Sequence, residues 1–571
     1  MLMDSEKTTH SAIASHVSES IGNSTAAPQK ARHEDSEVLA GRKLAVVFSA
    51  ISNYSINGLA ANRLSSDFNA FSLQGWVSDS FILSQTVFLL IHGKMLRIFP
   101  AKWVLVNGIA LFEIGSLVCG LAQGVGQLIA GRTVSGIGAA AIFVAMLQVI
   151  SQATRLEDRP RLFGLFGAMF GLSSVIGPLL GGAFTEKVTW RWVFYINLPI
   201  GGVSLAVVLL TLPARPPLGS DPTQRAAKAL LKQVLHMDLV GAVLVSAAVT
   251  CLVLALQWGG NSKSWNDGAV IASFVVSGIT AIVFFVWEKH LGDEALAPLA
   301  IFKSRSVYGA VGLTFFIRFS LLLFSYVSVE PAFWIFYRRH KKQYVPIFYQ
   351  AARHASAVTS GIDLLPFILS VTMTSFLGGQ IISRVGYVWP FLLAAPIFLG
   401  IGSGLLYSVE TTTSEATLVG YQILAGVGTG LGLQNSLLVL QIEFKDEPRL
   451  IGQAMSMGSF AQFFGGTLGL GVAEPVFSSQ LSKYLKEYAP DAPVSIVTQS
   501  PTSIYTALPQ EMIAGVVEAY TASLKIVFLV GVPVAFLALV SVAIIRNVKI
   551  ERQEKVVVAD KASQMKEDQE A

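Results

Sequence analysis

Long apolar blocks alternate with short polar connections along most of the chain, and each block is about as long as a bilayer is thick. A spanning helix needs about 20 mostly apolar residues, because the hydrocarbon layer is about 30 Å thick and each helical residue rises about 1.5 Å. About fourteen stretches qualify, near 44–60, 77–95, 103–121, 127–150, 162–184, 192–212, 238–257, 268–287, 307–326, 362–383, 389–408, 417–441, 452–474 and 524–545. The first is the weakest, interrupted by Asn53 and Asn57. Residues 1–43 are rich in Ser, Thr, His and charge, with neither an apolar core nor a signal-peptide h-region, which predicts a disordered tail. The pattern predicts an all-α integral membrane protein.

Composition sharpens this. Of 571 residues, 53% are apolar and 13% charged, against about 25% charged in soluble chains. Ordinary soluble enzyme folds are excluded. The net charge of +5 sits in short basic clusters between apolar blocks, where it reads as a topology signal and not as a nucleic-acid surface. With the amino tail in the cytosol, inward connections hold Lys94, Arg97 and Lys102; Arg155, Arg159 and Arg161; Arg215, Arg225, Lys228 and Lys232; and Lys303 with Arg305. The outward 122–126 connection has no charge and 409–416 has only Glu410 and Glu415. An even number of spans returns the tail 547–571 to the cytosol, and Asn23-Ser24-Thr25 is then no working glycosylation sequon.

One outward stretch breaks the rule, with Arg338, Arg339, Lys341 and Lys342 after the ninth span. Deleting Val327 to Lys342 joins Tyr326 to Gln343 in a smooth transition from span to loop. The segment 327–342 therefore reads as a translated retained intron, with an ordinary long outer loop as the alternative. Cys119 and Cys251 both lie in apolar stretches, so they build neither a disulfide framework nor a metal site. No Walker A sequence and no nucleophile–base constellation lies in an aqueous segment, and Gly426 to Gly432 lies inside a span without a preceding strand. No cofactor, metal or enzymatic site is expected.

The connection Gly93 to Lys102 resembles the cytoplasmic signature of the major facilitator superfamily, G-x-L-x-D-R-x-G-R-R. Gly93 and Lys102 fall on the glycine and a basic position, but Arg97 stands at the acid and Pro100 at the second glycine. The acid of that charge latch is missing from this loop. Leu128 to Ala140, with Arg132 inside the span, is similar to the same family's arginine-bearing helix. Burying an arginine against lipid costs at least about 2.5 kcal/mol, so Arg132 must face protein or water, and the resemblance implies the transport path. In span five Gly164, Gly167, Gly171, Ser174, Pro178 and Gly181 recur at helical spacing on one face, which lets another helix approach closely. Its portion Gly171, Gly177, Pro178, Gly181 and Gly182 is similar to the antiporter motif. Trp190 to Gly202 resembles the segment opening span six in the fourteen-span drug:proton antiporter branch, with Trp190 and Trp192 suited to an interfacial belt. The halves also echo each other: Gln127 to Gly131 recurs as Gln422 to Gly426, and Gly93 to Lys102 more weakly as Gly379 to Gly386.

The resemblance covers roughly 44–546. It implies a major facilitator fold with six-helix halves at 44–212 and 291–546, and a linker with two inserted helices at 213–290. It implies a fungal-type efflux carrier. Span one of that branch carries L-D-x-T-I-V-x-x-A-L-P, and alignment on Arg63-Leu64 puts Asn53 at the acid. An amide binds substrate but does not exchange a proton near neutral pH. Proton coupling then needs another carboxylate, Glu113 in span three or Asp79 in span two. Arg318 is the other isolated intramembrane charge, and Gln434, Asn435 and Gln462 are uncharged ligands in the carboxyl half. The expected function is proton-coupled export of an organic compound, drug or toxin by alternating access. The partners implied are a small-molecule substrate, protons and the lipid bilayer, with the chain a monomer in the plasma or the vacuolar membrane. A gradient-independent uniporter and a non-transporting nutrient sensor are the alternatives.

Overall fold

The computed structural model describes residues 74–218, 233, 237–260, 263–326, 364–494, 497 and 504–550. The amino tail, the expected first span with Asn53, segment 327–342 and most of the carboxyl tail lie outside the described residues. The long helices are α1 (Gln74–Ile98), α2 (Ala101–Gly120), α3 (Val125–Ala153), α4 (Arg159–Lys187), α5 (Asn197–Thr211), α6 (Leu239–Trp258), α7 (Gly268–Leu291), α8 (Arg305–Tyr326), α9 (Leu365–Val385), α10 (Trp389–Tyr407), α11 (Glu415–Leu433), α12 (Asn435–Glu443), α13 (Ile451–Tyr488) and α14 (Gln510–Ile544). Among the described residues, eleven helical segments are long and apolar enough to cross a membrane, with α11 and α12 counted as one rod. In hydrocarbon every backbone polar group must find its partner inside the segment, which selects helices. Local chemistry sets their starts. Pro160, Pro366 and Pro390 stand in the first turns of α4, α9 and α10, where a missing N–H costs nothing. Asp238, Asp267 and Ser414 cap α6, α7 and α11 by accepting backbone N–H bonds.

Two seams join the halves, α1 against α13 and α4 against α9. The second is the first with the halves exchanged, as a parallel repeat requires. Span four and the α11–α12 rod occupy equivalent places, and each is 83% buried over its most apolar window. The inserted α6 pairs with α7 and packs on α1 and α13. Leu83, Val87 and Leu90 of α1 meet Ala242, Val245, Val249 and Val253 of α6 there. The inserted pair therefore covers one seam. Helix α7 lies outermost, presenting Ile279, Ile282, Phe285 and Val286 outward.

Glycines set the seam distances. A Cβ on Gly164 would stand 2.7 Å from the Ser375 carbonyl and 3.2 Å from Gly379 Cα, closer than side chains allow. A Cβ on Gly379 would overlap the Pro160 carbonyl, and one on Gly93 would overlap the Ser456 side chain. Thus the two glycines of the weak internal echo both sit where the halves touch. Side-chain bonds finish the closure at the end carrying the basic connections. Ser383 donates to the Glu157 carbonyl at 2.7 Å. Arg159 donates to Gln441 Oε1 at 3.2 Å, and Arg97 to Gln453 Oε1 at 3.5 Å.

The tryptophan-rich segment behaves differently from a simple belt. Trp192 is 47% exposed, but Trp190 is buried, with the Arg191 guanidinium 4.3 Å from its ring centroid. Arg191 donates to the Ala122 carbonyl, Tyr195 to the Gly120 carbonyl and Asn197 to Ser116 Oγ, at 3.0, 2.8 and 3.2 Å. The segment clamps the end of α2 because Arg191 and Tyr195 meet carbonyls freed at that helix terminus, while Asn197 holds a hydroxyl one turn inside it.

Gly379→Leu overpacks the α4–α9 seam at a cost of about 1–3 kcal/mol, which is expected to loosen its contacts at the end carrying the basic connections. A cysteine placed at Gln441 is expected to become more reactive to a membrane-impermeant thiol reagent in that variant. Unchanged labelling would show that this glycine contact does not set closure.

Candidate transport site

The rod α11–α12 is broken at Gln434, where the residue takes φ −100°, ψ −30° and ends one helix before Asn435 starts the next. A break at membrane depth frees carbonyls that must be satisfied by protein. Two amides do this: Asn435 Nδ2 donates to the Leu431 carbonyl at 2.8 Å, and Gln462 Nε2 of α13 donates to the Leu433 carbonyl at 2.9 Å. Gln434, Asn435 and Gln462 are each buried. The Gln434 side chain reaches the other half, its Cγ 3.5 Å from a Cβ built on Gly167 of α4. The glycine stripe of α4 therefore faces both α9 and this break.

Beside the break, Arg318 of α8 is buried, its guanidinium 5.1 Å from the centroid of the Phe463 ring on α13. Phe463 stands edge-on to Phe143 of α3 at 5.2 Å, and Phe143 to Phe166 of α4 at 5.5 Å. Three aromatic rings from both halves, three amides and one guanidinium thus meet at the seam. Desolvated cation–π contact is worth about 2 kcal/mol and edge-on aromatic pairs about 0.5–1.5 kcal/mol each. The cluster offers an apolar surface with a few directed donors, the composition of a small-molecule site.

The other sequence candidates lie elsewhere. Arg132 is buried between α3 and α1, donating from Nε to the Val77 carbonyl at 3.1 Å with its guanidinium 4.3 Å from the Phe81 centroid. The Asp79 carboxylate accepts from Gln257 Nε2 of the inserted α6. Glu113 is half-buried one turn from Ser116, on the stripe that meets Asn197 across the α2–α5 contact. Gly171 faces Thr372 of α9, which a Cβ would overlap. Gly177 is buried in α4, the helix that also carries Pro178, Gly181 and Gly182, whose surroundings lie outside the described side chains. Lys102 donates to the Leu209 carbonyl of α5 at 2.8 Å, tying the loop within its own half. The structure brings Arg318, Gln434, Asn435 and Gln462 together and leaves Arg132, Asp79 and Glu113 apart from them. Sequence reasoning missed Phe143, Phe166 and Phe463. Phe463 directly follows Gln462, and Phe166 sits between two glycines of the stripe, but one phenylalanine in an apolar span carries no distinguishing mark.

Comparison with known proteins decides the family. The sequence model of the Major Facilitator Superfamily matches residues 44–337. The chain belongs to the major facilitator superfamily. It is a membrane transporter that carries a small molecule, not an enzyme. An MFS-type transporter of Diaporthe leptostromiformis is 38% identical over 78% of this chain and 71% of its own length. An MFS-type efflux pump of Arthroderma benhamiae is 37% identical over 81% of each chain. An efflux pump of Aspergillus parasiticus is 35% identical over 77% of this chain and 81% of its own.

In the transporter, Arg318→Ala is expected to lower substrate flux at least tenfold at unchanged membrane abundance, with Arg318→Lys restoring only part. A planar guanidinium covers a ring face that an ammonium does not. Wild-type flux in Arg318→Ala would remove this residue from the site.

Proposed function

We propose that the transporter exports an amphipathic organic compound, a drug or toxin, in exchange for protons, by rocking its two halves about the α1–α13 and α4–α9 seams. The observation that carries this reading is the broken rod at Gln434, set against three aromatic rings and Arg318 where the halves meet. Such a junction binds a ring-bearing molecule through its faces and orients it through amide and guanidinium donors. Two of the similar proteins are described as efflux pumps, which favours export.

Rocking needs contacts that can be exchanged. The closure at the basic end consists of single hydrogen bonds, each worth about 0.5–1.5 kcal/mol net, over close glycine contacts that part without leaving a cavity. Arg132 clamps α1 to α3 so that the amino half moves as one body. An ion gradient supplies the energy, since the sequence carries no nucleotide motif. Glu113 is assigned the proton in the amino half. Both ends of the monomeric chain lie in the cytosol, and the membrane is the plasma membrane.

Reconstituted vesicles with an imposed pH gradient test the reading, with a fluorescent aromatic substrate as cargo. Accumulation that collapses with the gradient is expected, and Glu113→Gln is expected to abolish gradient-driven accumulation. Saturable flux indifferent to the gradient would replace antiport by uniport. Binding without flux would replace transport by sensing.

A further inference from the structure

The loop Gly93 to Lys102 lacks its acid, yet Lys94 is 4% exposed, and a buried ammonium requires a counter-charge. The inserted helix pair supplies it. Asp238, at the start of α6, and Glu288, in the last turn of α7, are 6% and 1% exposed. Lys94 donates to the Glu294 carbonyl just beyond α7, and the carboxylates of Glu294, Asp238 and Glu288 all act on its charge. Gln453 of α13 joins the same junction by donating to the Ala295 carbonyl at 3.4 Å.

The two carboxyl groups are each half satisfied. Asp238 Oδ1 accepts from the Gly241 backbone at 2.7 Å and from Trp287 Nε1 at 2.8 Å. Glu288 Oε2 accepts from the Ala297 backbone at 2.7 Å. The remaining oxygens, Asp238 Oδ2 and Glu288 Oε1, are buried and have no hydrogen-bond donor among the described residues. They converge: a Cβ on Gly241 would overlap Asp238 Oδ2 and stand 2.8 Å from Glu288 Oε1. Two facing carboxylate oxygens away from water repel unless one carries a proton. The other charges around them do not remove the excess. Arg97 donates to the Asp293 carbonyl, while Asp293, Glu294, Lys289 and His290 are exposed to screening solvent. His92 of α1 is engaged with the Phe88 carbonyl of its own helix.

We propose that Asp238 and Glu288 bind one proton between them when the basic end is closed, as a Glu288 Oε1–H bond donated to Asp238 Oδ2, with Lys94 balancing the remaining charge. Closure takes the proton from water, and opening hydrates both oxygens and returns it. The closed state is therefore favoured by acid on that side and loses this support as pH there rises. The site itself is independent of cargo. Its use in transport rests on the proton-driven export proposed above, where it makes closure of the basic end sensitive to pH on that side, beside the transported proton assigned to Glu113.

Infrared difference spectra of the full-length protein in lipid vesicles test it without transport. A protonated-carboxyl C=O band is expected at neutral pH, lost in Glu288→Gln and in Asp238→Asn. In Lys94→Met the band should persist to more alkaline buffer, because removing the cation favours the neutral acid. A merely structural role for the pair would not move that titration. Absence of the band in the wild type, or its survival unchanged in both carboxyl variants, overturns the proposal. A titrating band beside pH-indifferent export supports the shared proton and refutes proton-driven export.

Discussion

In a bilayer, bringing two apolar helix faces together removes no oil–water contact, so close approach must come from shape and from polar pairing. The fold rests on that constraint. At Gly93, Gly164, Gly171 and Gly379 a missing side chain lets one helix touch the backbone or a hydroxyl of another. The halves are joined through these points and through single hydrogen bonds from Ser383, Arg159 and Arg97. Such a seam rests on close contacts and a few single hydrogen bonds, which suits the rocking of the halves proposed above.

The same constraint explains where the polar groups lie. Several buried polar side chains near the middle of the molecule compensate a defect or a charge. Asn435 and Gln462 take the carbonyls released by the break at Gln434. Arg318 leans on an aromatic face, and Arg132 on another while donating to a carbonyl. The compensation at Gln434 leaves amide oxygen on Gln434 and Asn435 without a partner among the described residues, at a junction shared by both halves. Inserted helices α6 and α7 extend this logic to the basic end, where their carboxyl groups meet a lysine whose own loop lacks an acid.

Much of the architecture was legible in the chain because hydrophobic length and charge between blocks are one-dimensional properties. Thirteen of the expected spans reappear as helices near their expected places, α11 and α12 forming one of them, and the glycine spacing in span five announced a contact face before its partner was known. Arg318, Gln434, Asn435 and Gln462 stood out as polar residues in apolar blocks for the same reason. The sequence alone thus determined that the chain is a bundle of membrane helices with related halves, and which of its residues were out of place in oil.

Only the tertiary structure decided which of those residues meet. Helix faces separated by hundreds of residues are assigned to one another by packing, not by spacing. That is why Asp79 turned toward Gln257 of the inserted pair, why Trp190 went inside while Trp192 stayed out, and why three ordinary phenylalanines joined the site. A phenylalanine looks the same in every apolar span, and its role follows from the neighbour that the fold sets against its ring.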